Sequence, residues 1–402
     1  MKKSQFLPLC IILVFVIFFT GCGKANPASD PNKQPDSSQS ASASADGQEP
    51  IHIALNGPMT GDNAQYGLQF RRGVETFIEE YNAAGGLNGR MFDVDIYDDK
   101  NDAKEAVNIA NLIVSKDRYT AMIGPFSSTC AFAMCEVLDE AKLLSISPCI
   151  SHPDYVNVFD YTIRIGHINS KEGEFVAKYL KQKMDAENIA GIYINNDWGS
   201  AVNESFSGYL KDMGMNLVVD EAYVAGQTKD FTPIISKIKE SKVDAIYLMY
   251  NYAEAGPILR QIKDLGMDTA VIVGTPAYKT ETLEIAEDAA DDALFLTSFS
   301  IDSTNPRTVE FRKKIKEKYS VEIDNMIVRA YDAMLVLTTA MENADGDYSA
   351  GRLRDEILKL KDIPGVSGVF SYMPDRNTTR DFMITKSDGN GSFKFIEAPT
   401  LD

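Results

Sequence analysis

Short β-branched runs alternate with amphipathic stretches of 12 to 20 residues from Ile51 onward, and this rhythm runs its course twice. A period-2 or fully apolar run followed by a 3.6-period stretch is the signature of βαβ units and a parallel sheet. In the first series Ile51 to Leu55, Phe92 to Tyr97, Tyr119 to Ile123, Leu143 to Ile146 and Tyr161 to Ile165 read as strands, with helices near 64–83, 102–116 and 128–142. In the second, Ile189 to Ile194, Leu217 to Tyr223, Ala245 to Tyr250, Ala270 to Val273 and Ala293 to Thr297 read as strands, with helices near 171–184, 199–213, 231–240, 253–265 and 280–286. Helices near 306–319, 326–344 and 350–361 follow, then strands near 368–372, 380–386 and 392–396. The expected fold is α/β: two Rossmann-like lobes with parallel sheets, the chain crossing between them three times, near His167, Ser300 and Gly368. The expected lobes are 51–166 plus 301–367 and 167–300 plus 368–398. A chain of 402 residues has the length for two such cores.

The segment ahead of the folded part has a different character. Met1-Lys2-Lys3 is a basic start, Phe6 to Phe19 is almost wholly apolar, and Phe19-Thr20-Gly21-Cys22 closes it with small residues before a cysteine. The apolar run is only ~14 residues, short of the ~20 of a membrane span. This resembles a bacterial lipoprotein signal with its lipobox, which implies that 1–21 is removed and that Cys22 carries lipid. Phe19 stands where such signals usually have leucine, and an uncleaved single-span anchor is the competing reading. Either way the globular part is expected outside the cytoplasm. Residues 22–50, rich in Ser, Ala, Pro, Asp and Gln with no apolar period, read as a flexible tether. Cys130, Cys135 and Cys149 remain; three allow at most one disulfide, and Cys130 and Cys135 read mainly as small buried residues.

Ligands of open α/β sheets bind beyond the carboxyl ends of the strands, which selects the loops to inspect. GPFSST at 124–129 joins a strand to a helix start. Free N–H groups there favour anions, so Ser127, Ser128 and Thr129 are placed to face a carboxylate; plain N-capping is the competing reading. The loop after the next strand, Ser147 to Pro153, again offers a hydroxyl and an exposed backbone, and Asn56 to Gly67 forms a third mouth ending at Tyr66. The second half supplies Trp198, Tyr250, Tyr252, Pro276 and Tyr278 in equivalent loops. Aromatic rings suit a lid over a small molecule, though each is equally consistent with a half-buried core position.

GPMTGDNAQYG, AAGGLNGR at 83–90, YDDKND at 97–102, IGPFSS, ISPCIS, NNDWG, GQTKDF at 226–231 and RAYDAM at 329–334 occur in an order and spacing, over Ile51 to Glu397, that resembles type I periplasmic binding proteins of the leucine/isoleucine/valine-binding kind serving ABC importers. The resemblance implies a monomeric solute receptor without cofactor that closes on an amino acid and hands it to a membrane permease. It maps the carboxylate-binding serine to Ser128, the backbone carbonyl and the hydroxyl residue that bind the α-groups to Cys149 and Ser151, and ring positions over the ligand to Tyr66, Trp198 and Tyr252. In place of the acid the family usually sets against the ammonium, this chain has Thr275-Pro276, which leaves Asp197 or Glu254 for that role or a ligand of another kind. The ring set Tyr66, Phe126, Trp198, Tyr250, Tyr252 and Tyr278 also suits an aromatic acid, or a cation held over rings.

Other classes find little support. A net charge of −18 with no concentrated basic face argues against nucleic acid. His52, His152 and His167 lack metal-ligand company, and neither GxGxxG after the first strand, a Walker loop nor GxSxG is present. No enzymatic activity and no metal are therefore expected. The rival from another class is a sensory input module using the same closed form; no further span or cytoplasmic domain follows Asp402 in this sequence, which favours transport as the expectation.

Overall fold

The computed structural model describes residues 48–401; the leader, Cys22 and most of the expected tether lie outside the described residues. The first sheet holds β1 (Ile51–Gly57), β2 (Phe92–Asp98), β3 (Tyr119–Ile123), β4 (Leu144–Ser147) and β5 (Thr162–Arg164), in the order β2-β1-β3-β4-β5. Every pairing in it is parallel. The second sheet holds β6 (Asn188–Ile194), β7 (Asn216–Tyr223), β8 (Ala245–Met249), β9 (Ala270–Val273) and β10 (Leu294–Thr297). After the short strands β11 (Ile363–Gly365) and β12 (Gly368–Phe370), the chain adds β13 (Met383–Ser387) and β14 (Phe393–Glu397) to it, giving β14-β13-β10-β9-β8-β6-β7. β6 to β10 are parallel, whereas β13 and β14 run antiparallel on one edge.

Burial follows sheet position. β8, AIYLM, is buried at every residue, as a central parallel strand covered on both faces must be. β7, at one edge, alternates instead, with Asn216, Val218, Asp220 and Ala222 exposed, and β14, at the other, leaves Lys394 to Ile396 exposed. Charged residues on such strands discourage a further strand from adding.

The helix Asn325–Asn343 is seated on Ala64–Ala83, and the contact explains Gly73: a Cβ there would lie 2.4 Å from the Ile327 carbonyl oxygen. The AAGGLNGR turn behaves as expected. Gly85 and Gly86 take φ of +107° and +67°, and the Gly86 N–H returns to the Tyr81 carbonyl at 2.9 Å, ending the helix.

Two features depart from the sequence reading. Residues 368–372 do not extend the second sheet: β12 pairs with β11, Phe370 and Tyr372 are buried in the core of the first lobe, and the Tyr372 hydroxyl donates to the Arg164 carbonyl at 3.2 Å. Two large rings next to an open first-lobe core gain more by burial there than by prolonging a sheet edge. Helix Pro306–Tyr319, expected with the first lobe, is shared. Phe311 and Ile315 join the core of the second lobe, while Lys314 and Lys318 pair with Glu80 and Glu79 of the first. Cys130, Cys135 and Cys149 are free thiols, the first two fully buried. Among the described residues no helix is long and apolar enough to cross a membrane.

Candidate functional site

Loops from the carboxyl ends of both sheets meet around one cleft with about 560 Å³ of atom-free space, part of it open to solvent. The first lobe contributes Asn101 after β2, Phe126 to Ser128 after β3, Cys149 to Ser151 after β4, and His167 after β5. The second contributes Asn196 and Trp198 after β6, Asn251 after β8, and Thr275 and Pro276 after β9. Met326 and Arg329, from the helix Asn325–Asn343, complete the lining.

The first-lobe wall is braced from behind. Gly124 takes φ of +122°, and a Cβ on it would meet the Asn56 carbonyl oxygen at 2.2 Å, so the turn after β3 requires glycine. Two adjacent serines then serve capping and cleft-lining, Ser127 taking part in both. Ser127 is the N-cap, its Oγ accepting from the Cys130 N–H at 3.3 Å, and Ser128, first residue of the helix, lines the cleft. Ser147 ties the next turn to this one: its Oγ donates to the Pro125 carbonyl at 2.9 Å and accepts from the Cys149 and Ile150 N–H groups at 3.2 and 3.0 Å. The Cys149 thiol donates to the Phe126 carbonyl at 3.1 Å, and burial pushes that thiol up to about 12. Arg164, fully buried, donates to the carbonyls of Ser151, His152 and Pro153 at 3.1, 2.7 and 3.3 Å. The wall is therefore braced by the protein's own hydrogen bonds. His152 does not line the cleft; its Nδ1 accepts from the Asp154 N–H at 3.2 Å, a locally satisfied loop histidine.

The aromatic set divides. Phe126 and Trp198 line the cleft. Tyr66, Tyr252, Tyr250 and Tyr278 do not. Tyr66 stacks on Phe126 with centroids 4.1 Å apart, donates from its hydroxyl to the Pro276 carbonyl at 3.0 Å and accepts there from the Tyr252 N–H at 3.1 Å. The Tyr252 hydroxyl donates to the Asp62 carbonyl at 2.6 Å. These two tyrosines clasp one lobe to the other beside the cleft instead of facing into it. Tyr250 is buried in the second-lobe core, stacked on Tyr223 at 4.3 Å, because the strand it leaves is covered on both sides. Tyr278 follows a 3-10 turn, Thr275–Ala277, that directs its ring onto Phe393 at 4.3 Å, and its hydroxyl accepts from the Ile301 N–H at 3.2 Å.

Neither acid that the sequence offered as an ammonium partner faces the cleft. Asp197 accepts from the Thr129 hydroxyl at 2.6 Å, a bond between the lobes. Glu254 is pushed up by burial and leaves its Oε2 without a partner away from the lining. The carboxylate behind the lining is one the sequence reading passed over. Glu172 is fully buried and accepts from His167 Nε2 at 2.9 Å, the Tyr247 hydroxyl at 3.0 Å, and the Thr275 N–H and hydroxyl at 3.1 and 3.0 Å. Burial alone raises its pKa; the His167, Thr275 and Tyr247 donors outweigh this and hold it below the ordinary carboxylate range. Burial pushes His167 down, against the pull of Glu172. Arg329 was passed over as well, although RAYDAM was in view. Its Nη2 donates to Ser298 Oγ at 2.5 Å and lies 3.4 Å from His167 Nδ1 and from Asn325 Oδ1. Asn101, Asn196 and Asn251 each sit just beyond a strand end, a positional signal that could have marked them. Among the described residues no group of three His, Cys, Asp or Glu is arranged to hold a metal.

The sequence profile of the family described as Periplasmic binding protein matches residues 50–392. The chain belongs to this family. Among its relatives, the Leu/Ile/Val-binding protein BraC3 of Rhizobium johnstonii is 28% identical over 323 residues, covering 80% of this chain and 87% of that protein. The crystal structure of the branched-chain amino acid transporter substrate-binding protein LivJ from Streptococcus pneumoniae, in complex with isoleucine, superposes with a TM-score of 0.79 at 26% identity, covering 86% of this chain and 98% of that one. An ABC transporter solute-binding protein from R. palustris, solved with benzoate, superposes with a TM-score of 0.80 at 17% identity over 88% of this chain and 98% of that one, a likeness of fold alone. The chain is thus a type I periplasmic binding protein of two α/β lobes and a solute-binding component of the ABC-transporter kind.

Proposed function

We propose that this periplasmic binding protein captures a small carboxylate-bearing solute in the cleft and delivers it to an ABC importer. Its carboxylate is held by Ser128 and Ser151, Cys149 lines the cleft beside them, and Trp198 and Pro276 close over it. Phe126, backed by the Tyr66 ring, forms the apolar side. The names of the relatives favour a branched-chain or other amino acid; an aromatic acid or amide is the alternative. The observation that carries the reading is the meeting of strand-end loops from both sheets on one cleft, with a preformed first-lobe wall.

Capture works by hinge closure, which a solute drives only to the extent that it binds the closed form better than the open one. Bonds that cross between the lobes, Tyr66 to Pro276, Tyr252 to Asp62 and Thr129 to Asp197, belong to the closed form. The hinges lie near His167 and Ser300, and the third crossing moves from Gly368 to about Arg380, since Phe370 and Tyr372 are packed in the first lobe. The protein acts as a monomer, without catalysis, on the outer face of a bacterial membrane, anchored through lipid on Cys22. Thermal-shift screening against amino acids, aromatic acids and amides tests the capture reading. At least one carboxylate should raise the melting midpoint, and a flat response across all three classes would contradict it.

A further inference from the structure

We infer that the solute is a small organic acid carrying no ammonium group beside its carboxylate, and that Arg329 is the specificity-determining residue that enforces this choice. This rests on the capture reading and narrows it. An α-amino acid brings one anion and one cation, and the cation, once closed off from water, needs a carboxylate or several carbonyl groups aimed at it.

The charge in the cleft is of the opposite kind. Its lining holds one full charge, Arg329, which is 2% exposed, and no aspartate or glutamate. Among the described residues that guanidinium forms no ion pair: its Nη2 rests on Ser298 and, more distantly, on His167 and Asn325, and its Nε has no partner. Glu172 does not relieve it directly. It is fully buried outside the lining, and its oxygens are taken by four donors, two of them from Thr275, which stands in the lining in front of it. His167 separates the two charges, with Nε2 on Glu172 and Nδ1 toward Arg329. An ammonium beside Arg329 would add like-charge repulsion to its own desolvation. A 2-oxo, 2-hydroxy or ring-borne acid instead brings negative charge and acceptors toward a planar donor fork whose present partners are all uncharged.

Isothermal titration of the purified full chain with matched pairs tests this: leucine against 4-methyl-2-oxopentanoate, and phenylalanine against phenylpyruvate, with benzoate as a ring acid. In at least one pair the oxo acid should bind at least tenfold tighter than the amino acid. Arg329→Gln should collapse that ratio at least tenfold, and Arg329→Lys, which keeps the charge, should retain part of it; solute-free melting curves check that both variants fold. An amino acid binding tighter than its oxo acid overturns the inference while leaving capture intact. Equal losses for both members of a pair in Arg329→Gln overturn the assignment of Arg329. No binding by any member, nor by the wider set of amino acids, aromatic acids and amides, overturns the capture reading and the inference with it.

Discussion

The two walls of the cleft are built by opposite means. On the first lobe, three hydroxyls and one arginine behind the surface hold two turns in a single arrangement: Ser145 and Ser147 donate to carbonyls of the Gly124-Pro125 turn, Ser127 caps the helix, and Arg164 collects three carbonyls of the 151–153 loop. On the second lobe the rings expected to form a lid are mostly engaged elsewhere, Tyr250 and Tyr278 in the core and Tyr252 in a bond to the other lobe, so that Trp198 is the lid's one aromatic in the lining. A grip that must hold the charged end of many copies of the same solute is served by a wall that costs nothing to organise on binding. In the proposed closure the second wall contributes area and lobe-to-lobe bonds in place of geometry.

If this division of labour is right, the largest loss should come from the single ring on the closing side. Trp198→Ala should weaken binding of the tightest solute by roughly 2 kcal/mol or more, about 30-fold, in titration calorimetry, as removal of a central aromatic anchor does. Next, Ser128→Ala should cost about 1.5 to 3 kcal/mol of affinity, the worth of a hydrogen bond to a charged group, with an unchanged melting midpoint, because Ser127 and not Ser128 caps the helix. An affinity equal to wild type would remove the anchor role from this hydroxyl.

A third effect belongs to stability. Asp99 is buried behind the first-lobe wall, accepting from Asn56 Nδ2 at 2.8 Å and from the N–H of the cleft residue Asn101 at 2.8 Å, and burial pushes it up to about 6. A carboxyl whose folded pKa lies above its unfolded value binds more protons when folded, so stability should fall as pH rises through about 4 to 6. Between about pH 4 and pH 7 the wild type should lose on the order of 2 kcal/mol relative to Asp99→Asn in denaturant unfolding; parallel curves would contradict this. The smallest effect is the sharpest contrast with Trp198. Tyr250→Phe removes a buried hydroxyl without a partner, so affinity should not change and stability should hold or rise slightly.

The fold was legible because its signals are local and repeated. A buried parallel strand such as β8 needs an unbroken apolar run, and AAGGLNGR needs its glycines to turn the chain; both are written in adjacent residues. The loops of the site were legible for the same reason, since strand ends select them. Side-chain direction was not. Nothing in MYNYAE distinguishes Tyr250, which turns into the core, from Tyr252, which crosses to the other lobe, because the choice depends on packing partners such as Tyr223 and Asp62 that are remote in sequence. Arg329 escaped because it meets His167 across 162 positions, and Glu172 because Tyr247 and Thr275, which hold it, stand 75 and 103 positions away, separations that leave no local pattern. Residues 368–372 misled because a short apolar run fits either sheet until its rings find a core.

The most direct test of the central claim, that a fixed first-lobe wall grips the anionic end while the second lobe closes over the remainder, is a crystal structure of the protein with its tightest-binding acid. The solute's carboxylate should lie within hydrogen-bonding distance of Ser128 Oγ, with Trp198 against its apolar part. A carboxylate bound to the second lobe, or a solute outside the cleft, would contradict the account.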